Sequence, residues 1–211
     1  MPRTRTTVET LYQFDELSER AQQKALQAHW NINVEEEWWD DVTRDINAFG
    51  EVSGLGCEYG NEFDCDRSSY VHIMGCCVLF SELLANREAM TGFPNLYDKV
   101  IQPFFSTFTE REQRQLLRLE RADLLGSLTG ETSTQRYGKQ WDIERWDGQR
   151  TPHITKLLDK LQDAWGELLD NLEHAYLKML RDEYEYLTDE EQIKESIRLN
   201  EDEFTEDGSR A

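Results

Sequence analysis

The chain has 211 residues, of which 43 are acidic and 23 are basic, giving a formal net charge of −20 at pH 7. Such a charge repels nucleic acid and anionic membranes, so it argues against direct binding to either and favours a basic protein partner. The aromatic content of 11% is enough for a real core, and we expect one domain over 1–211 with flexible ends at about 1–8 and 205–211.

Four cysteines are present, namely Cys57, Cys65, Cys76 and Cys77. The sequence contains neither a hydrophobic leader segment nor an apolar run of about 18 residues. We therefore expect a cytoplasmic, reducing setting with free thiols. The cysteine spacing fits no C-x-x-C zinc pattern, which favours buried small apolar residues over metal ligands.

The N-terminal third of the chain predicts two helices. The first begins after Ser18, a suitable N-cap, and the second is predicted over about 34–49, ended by Gly50. On the wheel of the second helix, Trp38 and Trp39 fall in the apolar arc and are expected to face the core. The opposite face holds four carboxylates, those of Glu36, Glu37, Asp40 and Asp41.

The middle of the chain changes its hydrophobic period. From about 54 to 79, glycine turns separate runs of β-branched and aromatic residues, which predicts two or three antiparallel strands. Short helices follow, with a break at Pro103 and a capping box from Thr109 to Glu112 that opens another helix. The stretch 126–150 is rich in glycine, serine and threonine and is predicted as a loop.

The clearest predicted element is a long C-terminal helix over about 152–187. Apolar residues recur in it with the alternating spacing of a heptad seam. We interpret the seam either as the centre of the domain core or as a self-association surface for a homodimer. Its central positions are Leu158, Leu161, Trp165, Leu168 and Leu172. A second capping box, Thr188 to Glu191, opens a last helix, so the elements together predict a helix-dominated α+β fold.

The negative charge is concentrated in two segments. Residues 33–47 have a net charge of −5 and residues 181–207 of −9, whereas residues 111–160 have +2. A face built for stability alone would alternate lysine with glutamate, and a solubilising acidic face is the alternative interpretation. We expect a partner-binding acidic surface formed by Glu36, Glu37, Asp40, Asp41, Glu190, Glu191, Glu195, Glu201, Asp202 and Glu203.

Few residues indicate chemistry of another kind. Glu62, Asp64 and Asp66 alternate along a predicted strand and are weak candidate ligands for a hard cation such as Mg²⁺ or Ca²⁺. The solvated face of a sheet explains the same alternation. Because the sequence has no nucleophile motif and no phosphate-binding glycine loop, we expect no cofactor and no enzyme activity.

Both ends of the chain resemble a known family. The passages "YQFDELSERAQQKA" (12–25) and "YEYLTDEEQIKESIRLNEDEFTEDGSR" (184–210) are similar to the two ends of small tailed-bacteriophage proteins, loosely labelled antitoxin-like proteins of a toxin–antitoxin stability system. The resemblance implies a protein that neutralises or modulates another protein, and it supplies no catalytic residues. In the middle, Cys65, Asp66 and Arg67 stand where the family pattern implies a glycine-, serine- and glutamine-rich segment.

These observations lead to one hypothesis and two alternatives. The hypothesis is a phage-encoded acidic interaction protein in the cytoplasm of a bacterial host. It would inhibit a host defence or nucleic-acid-handling protein by occupying its basic surface, as a nucleic-acid mimic would. The alternatives are an antitoxin that neutralises a cognate toxin, and a metal-dependent enzyme that uses Glu62, Asp64 and Asp66.

Overall fold

The computed structural model describes residues 9–35, 37–55, 58–62, 70–133, 140–145 and 151–211. These residues form a helix-dominated α+β fold with a small antiparallel sheet, which confirms the fold class predicted from the sequence. The chain divides into two compact units, which we call the terminal unit (Met1–Asp40 with Arg181–Ala211) and the central unit (Asp41–Leu180). The sequence predicts one domain over 1–211 and gives no sign of this division.

The secondary structure elements are numbered along the chain. The strands are β1 (Tyr12–Gln13), β2 (Glu58–Glu62), β3 (Tyr70–Val78), β4 (Leu125–Ser133), β5 (Gln140–Arg145) and β6 (Glu203–Phe204). The helices are α1 (Glu19–Ala28), α2 (Asp40–Ser53), α3 (Phe80–Ala85), α4 (Arg87–Met90), α5 (Pro94–Leu96), α6 (Gln102–Ser106), α7 (Glu110–Arg121), α8 (Pro152–Leu187) and α9 (Glu190–Leu199). A π-helical turn over Tyr97–Ile101 precedes α6, close to the break predicted at Pro103.

The terminal unit is built from both ends of the chain. Strands β1 and β6 pair in antiparallel fashion, with Tyr12 opposite Phe204. Ser18 caps α1 as predicted, because its Oγ accepts a hydrogen bond from the Ala21 N–H at 3.4 Å. One apolar cluster unites these elements, and its buried members are Phe14, Leu17, Ala21, Ala25, Ile193, Ile197 and Phe204. The two passages that carry the family resemblance therefore fold around a common core.

The last residues of the chain, predicted as a flexible end at 205–211, make defined backbone contacts. The Thr205 N–H donates to the Ser209 carbonyl at 2.9 Å, and the Ala211 N–H donates to the Glu203 carbonyl at 3.0 Å. Gly208 lies within this turn with a φ of 82°, in the left-handed region that favours glycine. Its missing Cβ also matters, because a Cβ there would collide with the backbone of Ala21.

The sheet of the central unit has the strand order β2-β3-β4-β5, and every pairing is antiparallel. Strands β2 and β3 lie within the predicted region 54–79, but β4 and β5 come from the stretch 126–150 that was predicted as a loop. That prediction was wrong because it relied on the glycine content and overlooked two apolar residues that indicate strands. These residues, Leu128 and Ile143, are buried opposite each other in β4 and β5. Gly130 packs closely against α8, because a Cβ there would require the Leu169 side chain to shift.

Helix α8 has the bounds that the sequence predicts. Its heptad seam faces the core of its own chain, because all five central positions are buried, with at most 1% of each side chain exposed. The indole N–H of Trp165 donates to the Thr129 carbonyl at 2.8 Å, which fixes the seam against β4. The interpretation as a self-association surface is therefore wrong for Leu158, Leu161, Trp165, Leu168 and Leu172, since a buried side chain cannot meet a second copy.

Helix α2 differs from its prediction at both ends. It begins at Asp40 rather than near residue 34, and it continues through Gly50 to Ser53. Glu37 has a φ of 29°, a conformation outside the α-helical region. The described residues 34, 35 and 37–39 are therefore not helical. The glycine after the helix is Gly54, with a φ of 72°, in the position that a helix C-terminus favours.

The two predicted capping boxes have different outcomes. At α7 the box is confirmed, because the Thr109 N–H donates to Glu112 Oε2 at 2.8 Å and the Glu112 N–H donates to Thr109 Oγ1 at 3.3 Å. At α9 the cap is shifted by one residue. Asp189 accepts from the Glu191 N–H at 2.9 Å, whereas the Thr188 hydroxyl donates to the preceding turn of α8.

Two of the four cysteines lie within the described residues. Cys76 is buried and its thiol donates to the Gly130 carbonyl at 3.4 Å, whereas Cys77 is exposed, and both are free thiols. Cys57 and Cys65 lie outside the described residues. No helix in the described part of the chain combines the length and the apolar character that a membrane span requires.

Candidate protein-interaction surface

The terminal unit carries most of the negative charge. It contains twenty acidic and eight basic residues, a net charge of −12 in a third of the chain, whereas the remaining two thirds account for −8. The charge is therefore concentrated in three dimensions as well as along the sequence. Concentrated charge of one sign attracts an oppositely charged partner over several ångströms and speeds the encounter with it.

The acidic segment 181–207 and the first part of the segment 33–47, up to Asp40, belong to the same folded unit. The Trp38 ring packs edge-on against the Tyr184 ring, with the centroids 5.4 Å apart, and against Trp39 at 5.7 Å. The Asn33 amide donates to the Leu187 carbonyl at 3.0 Å and its oxygen accepts from the Ser196 hydroxyl at 2.6 Å. These contacts hold the segment before α2 against the end of α8 and against α9. Trp38 and Trp39, which the wheel predicts to face the core, are half-buried.

Two ion pairs join the N-terminal and C-terminal parts of the terminal unit. The Arg198 guanidinium donates to both oxygens of Asp15, at 2.8 Å for Nη2 and 3.0 Å for Nε, and lowers the pKa of Asp15. Lys24 Nζ lies 2.6 Å from Asp207 Oδ2, and this hydrogen bond lowers the pKa of Asp207. Both pairs are exposed, so their main effect is to fix the register of the two parts rather than to stabilise the fold strongly.

A groove between α1 and α9 lies within this unit. Its volume is about 390 Å³, and it is lined by Gln23, Leu26, Gln27, Trp30, Glu190 and Ile193. Leu26 and Ile193 give it an apolar floor that continues the core, whereas Glu190 and the glutamines give it a polar edge. Trp30 lies just after α1 with 52% of its surface exposed. We refer to these six residues as the Trp30 groove.

The exposed large apolar side chains of the described residues all belong to the terminal unit. They are Leu11, Trp30, Tyr186 and Leu199, and Leu199 is 76% exposed. Protein-binding surfaces are enriched in exposed tryptophan and tyrosine, which give most contact area for the least loss of side-chain entropy. The terminal unit therefore combines negative charge with the apolar anchors that a solubilising acidic face would lack.

The carboxylates on α9 are exposed but not isolated. Glu190 and Glu191 contact Lys194 Nζ at 2.6 and 2.9 Å, and these hydrogen bonds raise the pKa of Lys194. Glu195, one turn further on, is exposed. The α9 surface thus presents carboxylates whose spacing is fixed by a central lysine, beside the Trp30 groove.

The remaining predicted partner-binding residues have separate positions. Glu37, Asp40, Glu201 and Glu203 are exposed in the terminal unit, Asp41 pairs with Arg44 at 2.8 Å in the central unit, and Glu36 lies outside the described residues. Asp202 is a correction, because only 6% of it is exposed. Its Oδ1 lies 2.7 Å from Arg210 Nη2 and its Oδ2 lies 3.8 Å from His29 Nε2. Asp202 therefore joins the chain end to α1 and is not available to a partner.

The weak metal candidates are only partly described. Glu62 ends β2, and Asp64 and Asp66 lie outside the described residues, as does any arrangement of the three side chains. Within the described residues, no three histidine, cysteine or acidic side chains come together as a cation site would require.

The sequence prediction missed the Trp30 groove. The helical wheel concerns only Trp38 and Trp39 and predicts that both face the core, whereas Trp30 lies eight positions before Trp38, beside a carboxylate from the opposite end of the chain. The signal available in the sequence was a single tryptophan directly after a short helix.

No family model, no curated protein and no solved structure matches this chain.

Proposed function

We propose that this chain is an acidic interaction protein that binds a basic surface of another protein through its terminal unit. The Trp30 groove would receive an arginine or lysine side chain, and the carboxylates of α9 would pair with the neighbouring cations. In its finer form, the proposal is a phage-encoded inhibitor in the cytoplasm of a bacterial host. It would occupy a surface that a host defence or nucleic-acid-handling protein uses for a polyanion.

One observation carries this proposal, namely that the terminal unit combines a net charge of −12 with the exposed large apolar side chains of the described residues. Charge alone would give solubility and a weak, unspecific attraction to any cation. An exposed indole beside a carboxylate adds a cation–π contact of about 0.5–2 kcal/mol and an apolar anchor. The combination supports a specific interface rather than a solvated surface.

The chemistry of the site also supports competition with nucleic acid. A basic surface that binds nucleic acid gains affinity by neutralising closely spaced phosphates, so closely spaced carboxylates can substitute for them. The exposed carboxylates of Glu190, Glu191 and Glu195 lie within two turns of α9. A protein that presents them would displace nucleic acid from that surface without binding nucleic acid itself.

The antitoxin alternative uses the same surface with a different partner. It is supported by the family resemblance, because the residues that carry the resemblance form the core of the terminal unit. It predicts that co-expression with a toxin encoded nearby restores growth, and that the substitution Trp30→Ala removes this protection. Growth that depends on the chain only through the central unit would refute it.

Fluorescence polarisation with a labelled nona-arginine peptide tests the proposed interface. We expect binding that weakens strongly between about 50 and about 500 mM salt, and a loss of about tenfold in affinity for Trp30→Ala. The triple variant Glu190→Gln, Glu191→Gln, Glu195→Gln should lose affinity and most of the salt dependence.

A matched control removes the same number of charges from exposed positions of the central unit, with Glu51→Gln, Glu88→Gln and Asp98→Asn. It should bind the peptide nearly as well as the unchanged chain. Equal losses in the control and in the α9 triple variant would show that net charge alone attracts the peptide, and the proposed site would be wrong. Unchanged thermal melting of each variant shows that the fold is retained.

A further inference from the structure

The central unit contains a basic groove that the sequence did not suggest. It is lined by Arg111, Arg114, Gln115, Arg118 and His153, and its volume is about 620 Å³. The three arginines lie on α7 at spacings of three and four residues, which places their side chains on one face of the helix. His153 comes from the first turn of α8. We call these five residues the arginine groove.

The arginines of this groove have few carboxylate partners. In the part of the chain that the structure describes, neither Arg111 nor Arg118 lies within ion-pair distance of a carboxylate. Arg114 Nη2 lies 3.9 Å from Glu110 Oε2, and both side chains are largely exposed. In a chain with 43 acidic and 23 basic residues, three adjacent arginines with one long ion pair among them represent an unusual local excess of positive charge.

Two of the three acidic residues of α7, Glu112 and Glu120, are held by groups outside the arginine groove. Glu112 Oε1 lies 2.8 Å from Lys160 Nζ, and the Thr109 N–H donates to its other oxygen. Glu120 accepts a hydrogen bond from the Ser81 N–H at 3.1 Å. Both carboxylates are therefore engaged by groups outside the arginine groove. Arg114 keeps its long pair with Glu110, and its Nε donates to the Glu110 carbonyl at 3.2 Å. The other guanidinium groups of the groove have donors available to a ligand.

Further donors point to an anionic ligand. His153 Nε2 donates to Gln115 Oε1 at 3.2 Å, which leaves the Gln115 amide nitrogen as a donor. The Ile154 N–H donates to Thr151 Oγ1 at 3.4 Å, so Thr151 caps the helix whose first turn carries His153. The N-terminus of a long helix carries a partial positive charge and favours an anion. The lining residues thus combine several donors with no carboxylate.

We propose that the arginine groove binds a compact oligophosphate, meaning a short run of linked phosphate groups such as the polyphosphate part of a small molecule. Guanidinium groups bind phosphate oxygens in pairs, and the rise from Arg111 to Arg118 is about 10 Å, which several linked phosphates can span. The net charge of −20 repels a long nucleic acid, whereas a small ligand is exposed mainly to the local field of the groove.

Isothermal titration of the full chain with inorganic triphosphate tests this site, with orthophosphate and a short single-stranded oligonucleotide as comparisons. We expect the triphosphate to bind more tightly than either comparison. The double variant Arg111→Gln, Arg118→Gln should lose at least about tenfold in affinity. Arg118→Lys keeps the charge but loses the paired donors, so its affinity for triphosphate should lie between those of the unchanged chain and the double variant. The matched control is Arg44→Gln, an exposed arginine of the same unit that pairs with Asp41 outside the groove.

Each outcome decides the proposal. No measurable binding of triphosphate at millimolar concentration would overturn it, and so would equal binding by the double variant. Tighter binding of the oligonucleotide than of triphosphate would overturn the compact ligand in favour of a nucleic acid. Because the Trp30 groove belongs to the terminal unit, a failure here leaves the proposed function untouched, and a failure of peptide binding there leaves the arginine groove untouched.

Discussion

The substitution Gly208→Ala tests how the end of the chain is held in the terminal unit. Gly208 has a φ of 82°, which costs an alanine about 1 kcal/mol relative to glycine. The added Cβ would also collide with the backbone of Ala21 on α1, where no side-chain rotation can relieve the contact. Overpacking of this kind costs about 1–3 kcal/mol. The two effects together predict a loss of about 2–4 kcal/mol in the stability of the terminal unit.

The collision could also be relieved by a movement of the chain end, and the expected loss of stability is then similar. If residues 205–211 moved away from α1, Phe204 would lose packing that buries it completely against Phe14 and His29. Exposing a buried phenylalanine costs about 1.5–3 kcal/mol. The Lys24–Asp207 ion pair would also open, although an exposed pair contributes only about 0–1 kcal/mol.

Hydrogen exchange reads the stability of the terminal unit directly. The amides of α1 and α9 should exchange faster in Gly208→Ala, by the factor that corresponds to a stability loss of about 2–4 kcal/mol. The exchange rates of the α7 amides should remain unchanged. Gly75→Ala is the matched control, because no atom lies within 4 Å of the Cβ it would add. Exchange in α1 and α9 that is equal in Gly208→Ala and in Gly75→Ala would refute the reasoning.

Three further predictions concern the central unit. Contacts with Lys160 and Thr109 lower the pKa of Glu112 from 4.5 to about 2, so the resulting stability is complete above about pH 4.5 and is lost as the pH falls through about 2. Urea titrations across this range should show that loss, and Glu112→Gln should remove it. Glu173 is 2% exposed, and neither of its carboxylate oxygens has a hydrogen-bond partner among the described residues. The substitution Glu173→Leu should therefore raise the free energy of unfolding by about 1–3 kcal/mol. A destabilised variant would contradict this prediction. Because the heptad seam is buried, light scattering should give a mass near 24.9 kDa, and a concentration-dependent dimer mass would refute this.

The sequence predicted best where one element carries its own signal. The heptad spacing of α8 and the capping box at Thr109 are local patterns, and both are confirmed. Periodicity also placed β2 and β3 within the predicted sheet region. The structure of such elements can be predicted from residues that are neighbours in the sequence.

The sequence predicted worst where distant residues decide the outcome. The hairpin of β4 and β5 packs Gly130 closely against Leu169 of α8, a contact that no local window of the sequence contains. The first residues assigned to α2 have helical composition, but Asn33 and Trp38 are held instead by Leu187, Ser196 and Tyr184 from the other end of the chain. Tertiary contacts override local propensity at both places.

The candidate site follows the same rule. Glu190, Glu191 and Glu195 were found from the charge pattern and are exposed. Asp202 has the same sequence signal, yet it is buried beside Arg210 and His29, because two other parts of the chain supply its partners. A count of carboxylates predicts where charge is concentrated, but only the fold separates those that face solvent from those that join elements.

Hydrogen exchange of the chain with and without the nona-arginine peptide tests the central claim most directly, because it locates the contact. The claim predicts protection of the amides of Glu19–Ala28 and Glu190–Leu199, which flank the Trp30 groove. Protection spread evenly over acidic stretches of both units, or confined to the central unit, would contradict it.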